Sequence, residues 1–162
     1  MVGGSYRSTE DLFTNNGIEF DGKPFAGYGT WVNGEGGAIY GEGDGLMMNI
    51  KNGTFLNNSA GYGGAIQVWG PCNLNETFPP VVLTVSDSDF SGNVALGIGG
   101  AFSARGSQIA TNFSTSTFLS NRAHTGGAGD LFCSSYPSLF YSALVFDNNY
   151  VAPKQAVLHD YR

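Results

Sequence analysis

Residues 55–66 read FLNNSAGYGGAI, and the same phrase returns as FSGNVALGIGGAF at 90–102, FLSNRAHTGGAG at 118–129 and, in worn form, FDNNYVAPKQAV at 146–157. Repetition of this length settles the architecture before any single side chain is weighed. Phe55, Phe90, Phe118 and Phe146 stand 35, 28 and 28 residues apart, while the glycine pairs ending at Gly37, Gly64, Gly100 and Gly127 stand 27, 36 and 27 apart. The period is thus 27–28 residues with one insertion. The stretch WGPCNLNETFPP (69–80), rich in proline, sits where that insertion must fall and reads as a loop grown from one turn. Upstream the match continues, since Ile50, Val85, Phe113 and Tyr141 each lie five residues before the phenylalanine.

A chain of 162 residues with 41% hydrophobic content can bury one continuous core. Its 25 glycines argue against a helical bundle, because each costs about 1 kcal/mol in a helix interior relative to alanine. Short alternating runs appear instead, such as Leu46, Met48, Ile50 and Val81, Leu83, Val85, bounded by Gly, Asn, Asp and Ser. These are strands. Equivalent copies running in one direction without intervening helices predict an all-β parallel β-helix. About five coils are expected, each of about three short strands. Residues 1–34 are expected to be an irregular N-terminal coil or insertion, and 35–162 the regular repeats of one continuous domain.

Coils stack at about 4.8 Å, so equivalent residues lie above one another. The four phenylalanines would form an internal stack. Asn58, Asn93, Asn121 and Asn149 would form an amide ladder that pairs side chains with each other and with turn backbone. Gly-Gly followed by Ala supplies a tight corner and then a small inward residue. Packing alone explains every element of the repeat, and none of it requires a substrate.

Paired F-x-x-N and G-G-A-[IVLF] tetrapeptides, recurring over about residues 35–157, resemble the repeats of chlamydial polymorphic membrane proteins and of related Pmp-like adhesins in other bacteria and algae. The last copy departs, with Lys154-Gln155-Ala156 in place of Gly-Gly-Ala, and Gly129 stands where Ile39, Ile66 and Phe102 stand elsewhere. The resemblance implies a right-handed parallel β-helix of the pectin-lyase-like kind, a passenger or surface protein acting in adhesion or structural display. It brings no catalytic residues, and no autotransporter barrel is visible in the chain.

A net charge of −6 with only seven basic residues speaks against nucleic acid, whose phosphates call for clustered Lys and Arg. No segment approaches the ~18 apolar residues of a membrane span. The opening MVGGSYRSTEDLF lacks the apolar centre of a secretory signal, so the chain reads as a mature fragment or part of a larger protein. Sequons at Asn52, Asn57, Asn75 and Asn112 are candidate glycan sites in a eukaryotic secreted protein. Cys72 and Cys133 are either a disulfide or two inert thiols. Their coils are two steps, roughly 9.6 Å, apart, against the ~7 Å a bridge tolerates, so only a flexible insertion around Cys72 closes the gap.

Polysaccharide-cleaving β-helices need clustered carboxylates or Ca²⁺ with a base. Asp87 and Asp89 are close in sequence and Asp130 follows a glycine turn, but Asp87 aligns with Asn52 and Thr115 as a corner residue. His124 and His159 have no Ser or Cys partner at a triad spacing. No cofactor is expected, the weak exception being Ca²⁺ at Glu35, Glu42 and Asp44 in GEGGAIYGEGDG (34–45). An ice-binding row before each phenylalanine is broken, reading Thr54, Asp89, Thr117, Val145. Tyr28, Trp31, Tyr40, Tyr62 and Trp69 gather near the early corners and suit either carbohydrate contact or packing.

The expectation is a non-catalytic extracellular or cell-surface protein, structural or adhesive. It would continue into a longer chain or associate end to end as a filament segment, because open coils expose strand edges. The alternative is a polysaccharide-binding or polysaccharide-cleaving β-helix.

Overall fold

The computed structural model describes residues 5–16, 36–72, 78–132 and 138–151. Among these, every regular element is a strand and every strand pairing is parallel. The first coil contributes β1 (Ser5–Thr9), β2 (Leu12–Thr14) and β3 (Ile39–Glu42). The second holds β4 (Met47–Lys51), β5 (Thr54–Leu56), β6 (Ser59–Ala60) and β7 (Ile66–Trp69). The third holds β8 (Val81–Ser86), β9 (Asp89–Ser91), β10 (Val94–Ala95) and β11 (Phe102–Arg105). The fourth holds β12 (Ile109–Ser114), β13 (Thr117–Leu119), β14 (Arg122–Ala123) and β15 (Gly129–Phe132). The fifth is described through β16 (Ser138–Ser142), β17 (Val145–Asp147) and β18 (Tyr150–Val151).

Four sheets run along the stack: β1-β4-β8-β12-β16, β2-β5-β9-β13-β17, β6-β10-β14-β18 and β3-β7-β11-β15. The fold is a right-handed parallel β-helix. A complete coil has four strands rather than the three expected. The additional one, between the asparagine rung and the glycine pair, is only two residues long and shows no alternation that a sequence pattern can carry. Residues 5–16 supply a first half coil, since Phe13 lies in register with Phe55 and the following strands. The insertion that parts them from the first glycine pair, 17–35, lies outside the described residues, with Tyr28, Trp31 and Glu35.

Each of the first two corners turns on one left-handed residue. Between the first and second strands these are Glu10, Asn52, Asp87, Thr115 and Ala143, with φ from 47° to 61°. Between the second and third they are Asn15, Asn57, Gly92, Ser120 and Asn148, with φ from 51° to 64°. Asn and Asp tolerate this conformation better than β-branched residues, which suits their frequency here.

The two glycines of the repeated pair serve different ends. Gly63 has φ of 56°, the conformation that a Cβ disfavours. Gly100, by contrast, carries no such φ; a Cβ there would overlap the Gly127 carbonyl oxygen of the next coil. The second glycine thus sets how closely coils approach.

The interior follows from strand alternation. β8 and β12 both alternate buried and half-buried residues along their length. Their inward side chains, Val81, Leu83, Val85, Ile109 and Phe113, join Met48, Ile50, Ile66, Val68 and the phenylalanine stack in one core. Ring centroids along Phe13, Phe55, Phe90, Phe118 and Phe146 are 4.9, 4.6, 4.9 and 4.9 Å apart with interplanar angles of 12° or less.

Candidate functional site

The asparagine row forms a one-way chain of amides. Asn93 Oδ1 accepts the backbone N–H of Asn58 at 3.0 Å and its Nδ2 at 3.0 Å. Asn93 Nδ2 in turn donates to the carbonyl of Phe55 at 3.0 Å and to Asn121 Oδ1 at 2.9 Å. Asn16 donates to Asn58 Oδ1 in the same sense, and Asn121 to Asn149 Oδ1. Asn58, Asn93 and Asn121 are fully buried. All four capacities of the Asn93 amide are filled, which is the condition for burying it without penalty.

A second polar row escaped the sequence. At the preceding corner Gly53 N–H donates to Ser88 Oγ at 3.0 Å and Ser88 N–H to Ser116 Oγ at 3.2 Å. Each hydroxyl then donates to the carbonyl two residues back, Ser86 or Ser114. The signal present was Ser-x-Ser in SDS (86–88) and STS (114–116). Gly53 and Leu144 interrupt it in neighbouring copies.

Outward groups are more scattered. The row Thr54, Asp89, Thr117, Val145 lies in register across the coils, and Thr117 Oγ1 donates to Asp89 Oδ1. Asp87 stands at a left-handed corner with φ of 52°. Asp130 lies across from Ser103 on the adjacent strand rather than beside the other two carboxylates, and burial raises its pKa above the usual carboxylate value. Among the described residues no group of three or more His, Cys, Asp or Glu side chains converges on a metal position. Glu42 and Asp44 do share a shallow cleft of about 160 Å³ with Gly43, Trp69, Gly70 and Pro71. There Tyr40 Oη donates to Glu42 Oε2 at 2.8 Å, and the Arg105 guanidinium lies 4.3 Å from the Trp69 ring centroid.

Asn52 and Asn57 are exposed corner residues. Asn112 is half-buried, with Nδ2 3.5 Å from Thr84 Oγ1. Asn75 lies outside the described residues. Cys72 is disulfide-bonded, and Cys133 lies outside the described residues. His124 is half-buried, and His159, like Lys154-Gln155-Ala156, lies outside the described residues. No helix among the described residues is long and apolar enough to cross a membrane.

One asparagine rung per coil, a phenylalanine three residues before it and a glycine corner after it form the unit on which family comparison turns. Residues 52–68 match the Chlamydia polymorphic membrane protein repeat. The matched span covers the left-handed corner at Asn52, the Phe55 and Asn58 rungs, the glycine pair and most of β7. Over that stretch the chain is similar to the repeat, and the matched residues form part of one coil of the parallel β-helix. Comparison with the curated proteins and with the solved structures returns no match.

Proposed function

We propose that this chain is a non-catalytic scaffold of a cell-surface or extracellular protein, with a structural or adhesive role. The supporting observation is the complete use of the recurring residues by coil stacking. The amide ladder, the ring stack and the glycine corners are directed into the helix or between coils, so the repeat encodes a rigid rod and leaves its outer corners to vary. The match to a membrane-protein repeat favours the surface as its location. No cofactor is proposed, and Ca²⁺ or a chelator should leave the melting temperature unchanged. In a glycosylating host Asn52 and Asn57 are the favoured acceptors, because both stand exposed at corners. The Cys72 disulfide is proposed to close on Cys133, the only other cysteine in the chain.

Antibodies against residues 1–162 should label intact source cells. Labelling only after permeabilisation overturns the surface role. The cleft of Glu42, Asp44 and Trp69 favours one other reading, polysaccharide binding or cleavage, because a carboxylate pair beside an indole suits a sugar ring. Release of reducing ends or unsaturated products from acidic polysaccharides, abolished by Glu42→Gln, would establish that alternative.

A further inference from the structure

Strand alternation gives the sheet β1-β4-β8-β12-β16 an outward face as regular as its inward one. Met48 and Ile50 are buried in the core, so Met47, Asn49 and Lys51 point away from it. Register carries this assignment along the side of the stack. The middle outward row runs Arg7, Asn49, Thr84, Asn112 and Phe140. On one flank Lys51 leads a row of serines, and on the other Met47, Val82 and Ala110 form an apolar strip. Asn112 Nδ2 lies 3.5 Å from Thr84 Oγ1, so amide and hydroxyl alternate along the stack.

Charge is segregated on the same face. The chain carries 13 acidic residues against seven basic ones, yet the five strands of this sheet contain no Asp or Glu. Their charges are Arg7 and Lys51, both exposed. Neither is in an ion pair among the described residues. Glu10 and Asp87 stand at the corner beyond the serine row and bound the cationic strip there.

We infer that this face is the adhesive side of the rod and that its ligand is an extended acidic polysaccharide of carboxylated sugars, lying along the stack. The Arg7 fork matches a carboxylate, and Lys51 adds a second cation one coil on. Amides and hydroxyls between them pair with sugar hydroxyls, while the apolar strip and the exposed Phe140 ring cover the C–H faces of the sugars. Coils repeat at about 4.8 Å, close to the rise of one pyranose in an extended chain, so each coil meets one sugar. Nucleic acid fits less well, since its charge of one per ~1.7 Å calls for more cations than two.

The inference rests on the adhesive reading and names its ligand. Calorimetric titration of the purified full chain at low salt should show binding of polygalacturonate and none of uncharged dextran. Affinity should fall as salt rises. Arg7→Gln combined with Lys51→Gln should weaken binding roughly 5–10-fold. Leu56→Glu combined with Leu119→Glu lowers the net charge equally on the β2-β5-β9-β13-β17 face, at exposed positions. That control should bind within about 2-fold of the wild type. Lack of binding to polygalacturonate overturns the inference, as does salt-independent affinity or equal binding of dextran. Equal losses in the two double variants overturn it too, because they assign the attraction to net charge. Surface labelling of cells without polysaccharide binding would leave the location standing and strike this ligand alone.

Discussion

Asn93 and Asn121, one coil apart, are joined twice: Asn121 Oδ1 accepts the Asn93 backbone N–H at 3.0 Å and Asn93 Nδ2 at 2.9 Å. Replacing Asn93 with alanine strips acceptors from Asn58 and a donor from the Phe55 carbonyl, all inside the protein. The expected loss is about 3–5 kcal/mol, since each buried unpaired group costs ~1–3 kcal/mol. Asn149→Ala, at the half-buried end rung, should cost about 1 kcal/mol. Chemical denaturation of both variants measures the gradient, and equal losses would contradict a ladder anchored by burial.

Gly100→Ala is expected to destabilise the stack sharply, because its Cβ would meet backbone of the next coil rather than a movable side chain. Gly106→Ala is the control. Its Cβ would have no neighbour nearer than 3.5 Å, so the change should stay within about 0.5 kcal/mol. Thermal melts of the two variants give the comparison.

Thr115 is a β-branched residue held at φ of 47° on an exposed corner. A left-handed conformation costs such a residue about 1–2 kcal/mol. Thr115→Asn matches the residue at the equivalent corner, Asn52, and should raise stability by roughly 1 kcal/mol. A denaturation midpoint that falls would show that the Thr115 side chain makes a compensating contact.

Asp130 has its folded pKa raised above 3.8 by burial. The folded state therefore holds its proton to higher pH than the unfolded chain, and stability falls as pH rises through the folded value. Asp130→Asn should raise the melting temperature at neutral pH, and the difference should vanish below the unfolded carboxylate range. A gap independent of pH would assign the effect to packing instead.

Much of this was open to inspection in one dimension. Phe90, Phe118 and Phe146, with Asn93, Asn121 and Asn149, recur every 28 residues, Phe55 and Asn58 stand 35 before them because of the one insertion, and a chain that repeats its core residues in this way must place them above one another. Ser88 and Ser116 perform a similar task but were not visible, because serine is common in turns and Gly53 breaks the row. The two-residue strands were hidden for want of any period. Phe13 and Asn16 belong to an irregular first copy, parted from its glycine pair by a long insertion, and what joins them to the stack is register with Phe55 and Asn58.

The repeat by itself determined a parallel β-helix, its coil length and its inward rows, because periodic sequence under identical local constraints yields periodic backbone. Only the tertiary structure decided which glycine turns the chain and which admits the next coil, and only it placed Glu42 beside Trp69, 27 residues on. It also gave the amide ladder a direction and so made its ends unlike. Those properties belong to the contact between coils, where hydrogen-bond polarity and atomic overlap are settled by three-dimensional neighbours that no single repeat contains.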